Sequence, residues 1–545
     1  MNQSGKVFYS TLLFLFILFQ NNHTMAQAPA ERPKLVVGIV VDQMRWDYLY
    51  RYKDRYGEGG FKRMLNEGFT FENTFISHLP SFTAVGHSTV YTGSVPAIHG
   101  IIGNDWPDQV TGRHWYCTED TAVTAVGCNC EEGQMSPRNL LASTITDELK
   151  IATNFNSKVV GVSLKDRASI LPAGHTPDGA FWLDDASGNF ITSSYYMNDL
   201  PSWVKKFNKE KRPQHLMSKD WETLYPISSY TQSTQDNVSW EGPFKDETAP
   251  VFPHHLKDIY AKSPGSLRAT PFGNTLTLDL AKAAVNGYEL GKDNTTDFLT
   301  INCASTDYVG HQFGPNSIEV EDTYLRLDKD LAAFFSFLDE QVGKGNYVVF
   351  LTADHGAANA VGFMQEHHLP AGLVTEKGGL NNWLYNRFGV VGLARGFDNY
   401  HVSFNLERID SAKLDYDEVK KTAVRWLVRQ PGIQLAADLE NAANNNLPEP
   451  IRHMALNGYN PKRCGPVIVI PEPGWYQGAL KGTTHGNWNP YDIHIPLVFM
   501  GWHVPHGAST NNAYMVDIAP TVAALLHIQM PNGNVGNALN AYFLH

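Results

Sequence analysis

Three aspartates close apolar runs in this chain. Asp42 follows the run at residues 34–41, Asp307 comes two hydroxyl residues after the run at 297–304, and Asp354 comes one alanine after the run at 346–352. Asp354 is followed at once by His355. Asp307 is followed four positions later by His311, a spacing that puts both side chains on one face of a helical turn. His485 sits in the glycine-containing loop at 482–487. Mixed carboxylate and imidazole ligands are zinc chemistry, whereas magnesium and calcium take all-oxygen shells. Three acids and three histidines gathered at one edge suit two zinc ions. Each residue alone has a plainer reading, since strand-end aspartates are commonly helix caps and single histidines commonly fill cores. Their joint occurrence at the ends of separate runs is what points to metal.

A nucleophile for such a centre is offered by Leu79-Pro80-Ser81-Phe82-Thr83-Ala84-Val85-Gly86-His87-Ser88-Thr89. A strand is expected to stop at Pro80 and small residues to open a helix. That places the Thr83 hydroxyl near a helix N-terminus, where free N–H groups and the macrodipole favour negative charge. Threonine is a weak nucleophile and needs a base or a metal to activate it. The alternative is that Thr83 is a simple N-cap. Lys165 and Arg167 follow a further apolar run at 157–163. Alternate residues of an extended segment share a face, so both are expected to point into one site. Arginine gives a planar fork to two phosphate oxygens and lysine a compact charge.

The elements that must position these groups alternate along the chain. The runs at 34–41, 157–163, 297–304 and 346–352 read as strands buried on both faces of a parallel sheet, and 495–501 as a further strand. Helices are expected at 61–67, 139–150, 275–290, 318–342, 416–430 and 515–526. In the 318–342 segment Tyr324, Leu327, Leu331, Phe334, Phe335 and Leu338 recur at helical spacing. The fold class expected is α/β, a three-layer sandwich with a central, mostly parallel sheet carrying large cap insertions near 173–270 and 365–480. Ligands of such sheets bind at the C-terminal strand edge, where the three aspartates fall.

The 545 residues carry a formal net charge of −12 with no basic stripe, which argues against a nucleic-acid partner. Residues 1–26 read as a signal peptide, with Lys6 ahead of a short apolar core and a small-residue site ending at Ala26. A periplasmic or secreted protein without a stable membrane anchor is expected, its catalytic domain spanning 27–545. Of the five cysteines, Cys303 reads as a buried thiol, and Cys117, Cys128, Cys130 and Cys464 can form up to two bridges of open pairing.

Taken together, Asp42 after Val-Gly-Ile-Val-Val, Pro80-Ser-Phe-Thr83 with His87 and Thr92-Gly93, Ser-Thr-Asp307-Tyr-Val-Gly-His311, Thr-Ala-Asp354-His355-Gly356 and Thr-Thr-His485-Gly resemble the alkaline phosphatase superfamily. Within it they look like the phosphodiesterase/nucleotide pyrophosphatase-like branch. The resemblance covers most of the chain after residue 26, in order. It implies one zinc held by Asp307, His311 and His485, and a second by Asp42, Asp354 and His355 with the Thr83 oxygen bound to it. It further implies a phospho-threonine intermediate. The Lys-x-Arg element resembles that of the PafA-type alkaline phosphatases of this branch, in which the asparagine corresponding to Asn104 also contacts phosphate. The substrates implied are small phosphate monoesters, because a cationic pair suits a dianion. A phosphodiesterase or nucleotide pyrophosphatase is the alternative, and a non-catalytic, metal-stabilised binding protein a more distant one. The oligomeric state is left open.

Overall fold

The apolar run ending at Asp42 forms a strand whose seven residues are all buried. In this computed structural model residues 31–245, 247–374, 379–441 and 446–539 are described, and the signal peptide expected over 1–26 lies outside them. One sheet contains β1 (Leu35–Val41), β2 (Phe69–Phe75), β3 (Val159–Val162), β4 (Gly179–Asp184), β5 (Asn189–Ser193), β6 (Asp297–Cys303), β7 (Tyr347–Thr352), β8 (Leu497–Gly501) and β9 (Gly507–Tyr514). Its central order is β7-β1-β6-β3-β4, all parallel, with Val36 opposite both Val348 and Phe298. The flanks are mixed: β8 runs antiparallel to β7 and to β2, β5 runs antiparallel to β4, and β9 is parallel to β2. A parallel strand between two others must be covered on both faces, which is why β1, β6 and β7 carry no exposed residue.

Because β1, β3, β6 and β7 are parallel, their C-termini share one edge. Asp42 leaves β1 directly. Lys165 lies just past β3 as the residue before α2 (Asp166–Ala173), and Asp307 lies in the first turn of α3 (Ser305–Phe313) after β6. The helix that carries Thr83, α1 (Thr83–Thr92), docks on the sheet through Tyr91. The Tyr91 hydroxyl donates to the Gly38 carbonyl at 3.3 Å and its ring packs between Phe298 and Phe350. A Cβ on Gly38 would meet the Tyr91 oxygen at 2.4 Å, so the absence of a side chain there lets the helix approach.

The long helix α4 (Ile318–Leu338) buries the six residues named for its inner stripe, then ends in a wider turn over Asp339–Gly343, shorter than the 318–342 expected. The helix expected at 139–150 starts later, at Ile145, because Thr144 and Asp147 form a capping box that sets its first turn. The segment 173–270, expected to lie over the sheet, first extends it with β4 and β5 and then continues as short helices joined by loops.

The second insertion builds its own antiparallel sheet in the order Ala394–Asp398, His401–Phe404, Val467–Pro471, Ile433–Asp438. Helices Gly379–Phe388 and Tyr416–Leu427 supply Leu380, Leu384, Val419, Ala423 and Leu427 to a separate apolar cluster with Val402, Phe404 and Val469. Among the cysteines, Cys128 and Cys130 are bonded to each other, and Cys117, Cys303 and Cys464 are buried free thiols.

Candidate active site

The first helical residue of α1 is Thr83, and the cap position belongs to Phe82, in extended backbone (φ −113°, ψ 160°). No side chain of the helix start caps it. Instead the amide of Ala84 donates to Oδ1 of Asn104 at 3.0 Å, so a residue from a separate loop serves the orphan donor. The Thr83 hydroxyl is thereby left free of capping duty. Its Oγ1 lies 3.4 Å from Nε2 of His355, and the residue is buried.

All six expected ligands meet at this edge. Nε2 of His311 is 3.1 Å, and that of His485 3.8 Å, from Oδ1 of Asp307. Nε2 of His355 is 3.7 Å from Oδ1 of Asp42 and 3.4 Å from Oδ2 of Asp354. The rings of His355 and His485 stack with centroids 3.4 Å apart. Donor atoms lying within 4.8 Å of one another form two sets, Asp307 with His355 and His485, and Asp42 with His87 and Asp354. His355 thus bridges the two carboxylate groups, and His87 enters the second set.

The electrostatics fit cations. Oδ1 of Asp42 and Oδ2 of Asp354 are buried without a hydrogen-bond partner among the described residues. Burial, then the neighbouring Asp354 carboxylate, pushes the Asp42 acid well above its ordinary range, which a divalent cation beside it would reverse. Burial acts the same way on Asp307, but His311 and Lys165 outweigh it and hold that carboxylate well below its usual range. Burial, aided by His355 and His311, drives the His485 imidazole well down, and burial lowers His355 despite Asp354. Both shifts favour the neutral ring, the form in which histidine binds metal. Nδ1 of His311 meets the Thr483 carbonyl at 2.8 Å, and Nδ1 of His485 meets the Ser81 carbonyl at 2.7 Å. These contacts leave Nε2 of each ring facing the site, the usual outer-shell arrangement of metal-binding histidines.

The cationic pair is present, but not on an extended segment as expected. Lys165 is the extended residue before α2 and Arg167 lies inside its first turn. The chain turns helical because Lys165 keeps the N-cap geometry while Asp166 starts the helix. Lys165 is buried, with Nζ 2.8 Å from Oδ2 of Asp42 and 2.7 Å from Oδ2 of Asp307. Arg167 donates through Nη1 to the Tyr116 hydroxyl at 2.9 Å, and that hydroxyl donates to Oδ1 of Asp166 at 2.9 Å. Nε of Arg167 is buried with no partner among the described residues.

Gln43, His87 and Tyr116 were not foreseen as parts of the site. Gln43 has a left-handed backbone (φ 63°), uncommon for a residue with a side chain. Its Nε2 donates to Oδ1 of Asp307 at 2.7 Å and its amide to Oδ1 of Asp354 at 3.1 Å. Nδ1 of His87 is 2.9 Å from the Thr83 carbonyl and 3.3 Å from Oδ2 of Asp354. His87 stands one turn beyond Thr83, which is a readable signal. Tyr116 has none, because it arrives on the short strand His114–Tyr116, paired with Asp105–Pro107.

Comparison with known proteins gives the same outline. The sequence model of the family "Type I phosphodiesterase / nucleotide pyrophosphatase" matches residues 36–492. The chain is 54% identical over 513 residues to alkaline phosphatase PafA of Elizabethkingia meningoseptica, covering 93% of this chain and 94% of that one. It is 52% identical over 510 residues to alkaline phosphatase PhoV of Synechococcus elongatus, covering 93% and 92%. A protein of Myroides odoratus named calcium-transporting ATPase is 51% identical over 540 residues, covering 98% of each chain. No described helix here is long and apolar enough to cross a membrane. The crystal structure of wild-type PafA superposes with a TM-score of 0.93 at 53% identity, covering 94% of this chain and 99% of that one. The chain belongs to the type I phosphodiesterase / nucleotide pyrophosphatase family, as a homologue of the alkaline phosphatases PafA and PhoV.

Proposed function

We propose that this protein is an exported alkaline phosphatase that hydrolyses small phosphate monoesters through Thr83, with two zinc ions per site. The observation that carries the reading is the uncapped Thr83 hydroxyl at a helix N-terminus, 3.4 Å from His355 amid the Asp and His donors. Asp307, His311 and His485 would hold one ion, and Asp42, Asp354 and His355 the other, as the family pattern implies; His87 is a candidate to support the second set. Bound there, zinc would supply Lewis acidity toward the Thr83 hydroxyl and toward charge on the departing oxygen.

The chain's own groups account for the rest. The N-terminus of α1 presents the Thr83 oxygen and favours negative charge around it. Attack by Oγ1 forms the phosphorus–oxygen bond to Thr83 as the ester oxygen leaves with its alkyl or aryl group. Water then attacks the phospho-threonine, releasing inorganic phosphate and restoring the hydroxyl. Asn104, Lys165 and Arg167 would receive the non-bridging oxygens, and the unpartnered Nε of Arg167 is a donor free for that use.

A monoester dianion has three such oxygens and more charge than a diester, so the Lys165–Arg167 pair favours monoesters. The test is turnover of 4-nitrophenyl phosphate against bis(4-nitrophenyl) phosphate by the purified protein. The monoester should be hydrolysed with the higher kcat/KM. A higher value for the diester would replace this reading with a phosphodiesterase.

A further inference from the structure

One contact of the second insertion with the active site is the turn between Ala394–Asp398 and His401–Phe404. Asp398 pairs with His401, so the turn has two residues, Asn399 and Tyr400, with φ of 52° and 60°. Two-residue hairpins of this kind take left-handed residues at both positions, ordinarily asparagine followed by glycine. A tyrosine in the second position is unfavourable for the turn itself, and its ring is used elsewhere. It stacks on Phe82, interplanar angle 12°, next to Thr83. A Cβ on Gly486, beside His485, would strike the Phe82 ring at 2.7 Å and the Tyr400 ring at 3.0 Å.

Asn399 reaches the other side. Its Nδ2 donates to the Asp105 carbonyl at 2.7 Å, and a Cβ on Gly103 would meet that nitrogen at 2.4 Å. Asn104 lies between those two residues. Its side chain accepts from Ala84 and its carbonyl from the amide of Cys117 at 2.9 Å. The turn therefore contacts three segments that bear site residues: Phe82–Thr83, Gly103–Asp105 and His485–Gly486.

We propose that Asn399 is a positioning residue for phosphate monoester hydrolysis, fixing the Gly103–Asp105 segment so that the Asn104 amide meets both Ala84 and the phosphoryl group, while Tyr400 braces Phe82 beside Thr83. The inserted subdomain thereby acts as part of the catalytic frame. This rests on the assignment of Asn104 to phosphate in the proposed function. The geometry argues for action through Asn104, since Asn399 donates to the Asp105 carbonyl and packs where a Gly103 side chain would be, the two residues that flank Asn104.

The test is a double-mutant cycle on the zinc-loaded enzyme with 4-nitrophenyl phosphate, and with inorganic phosphate as competitive inhibitor. Asn399→Gly keeps the left-handed backbone and removes the side chain. It is expected to lower kcat/KM about tenfold and to weaken phosphate inhibition, because displacement of a positioned group by a fraction of an ångström has effects of this order. In the Asn104→Ala background the same substitution should change neither quantity by more than about twofold. Asn399→Asp keeps the side-chain volume and removes the donor, and should reproduce the loss if the glycine variant does not fold. An equal loss in both backgrounds would overturn the proposal in favour of a purely structural role, as would no loss from either variant. If Asn104→Ala itself leaves hydrolysis and phosphate inhibition unchanged, the assignment of Asn104 falls, and this inference with it.

Discussion

Nζ of Lys165 stands 2.7 Å from Oδ2 of Asp307 within the buried edge of the sheet. It also stands 2.8 Å from Oδ2 of Asp42, so one ammonium spans the carboxylates assigned to the two metal groups. Burial opposes its charge, but Asp307 and Asp42 keep its proton affinity above the ordinary lysine value. Lys165→Ala should lower monoester kcat/KM by about 10²-fold, the scale of losing one charge-stabilising donor. Diester turnover should fall less, which the ratio of the two nitrophenyl substrates measures. An equal loss on both would count against a role with the dianion.

Thr83→Ala removes the proposed nucleophile without removing any of the Asp or His donors. Hydrolysis should fall by on the order of 10³-fold or more, while zinc content by metal analysis stays at the wild-type level. Thr83→Ser, which keeps the hydroxyl, should retain part of the activity. Unchanged hydrolysis in the alanine variant would remove Thr83 from the mechanism.

Dialysis against a chelator should abolish hydrolysis and lower the melting temperature, since ions bound only to the folded state stabilise it by mass action. Zinc should restore both, with close to two ions per chain, and magnesium alone should not. Retention of full activity in metal-stripped protein would refute metal dependence.

The helix bearing Thr83 touches Asp354 through a glycine. A Cβ on Gly86 would lie 2.3 Å from the carbonyl oxygen and 2.8 Å from the carbonyl carbon of Asp354, obstacles that belong to backbone and cannot rotate away. Gly86→Ala should push α1 off the Asp354 strand end, with a stability loss of about 1–3 kcal/mol and a larger loss of zinc affinity than of melting temperature alone would suggest. Chelator competition beside thermal melting separates the two effects.

His254, remote from the nucleophile in sequence, is buried between Glu247 at 3.0 Å and Glu319 at 3.3 Å. Burial lowers its proton affinity, but the two glutamates outweigh it and raise the imidazole to about 9. A histidine raised in the folded state stabilises fully below its unfolded value near 6.5 and loses that contribution as pH rises through the folded value. His254→Gln should therefore cost on the order of 3 kcal/mol at pH 6, with the gap to wild type narrowing as pH rises from about 6.5 and nearly closed above about 9. Thermal melts at pH 6, 8 and 10 check this; a gap independent of pH would exclude a charged His254.

Much of the site could be read along the chain because parallel strands impose it. A strand buried on both faces is mostly apolar, so the first acid after each run marks the C-terminal edge. Asp42, Asp307 and Asp354 were legible on that ground, and His311 and His355 by their adjacency to them. The helix at 139–150 was placed too early because apolar spacing does not reveal that Thr144 and Asp147 would cap the chain later. The pairing of β2 with β9 was likewise hidden, because β9 is mostly exposed, with Ser509 and Ala513 buried, and has no continuous apolar run.

From its residues alone, the chain determined the α/β class and offered the acids and histidines as candidate ligands, because hydrophobic periodicity and ligand spacing are local properties, while the family was indicated by the resemblance of its motifs. Tertiary structure alone decided how those groups share the site. It put Asn104 rather than Thr83 on the helix cap, placed His355 between the two carboxylate groups, and aimed Lys165 at two aspartates from the start of a helix instead of an extended strand. It also brought Tyr116 to Arg167 and Asn399 to the Asn104 loop. Such contacts join residues far apart in the chain, and they depend on sheet order and loop closure, which no local pattern encodes.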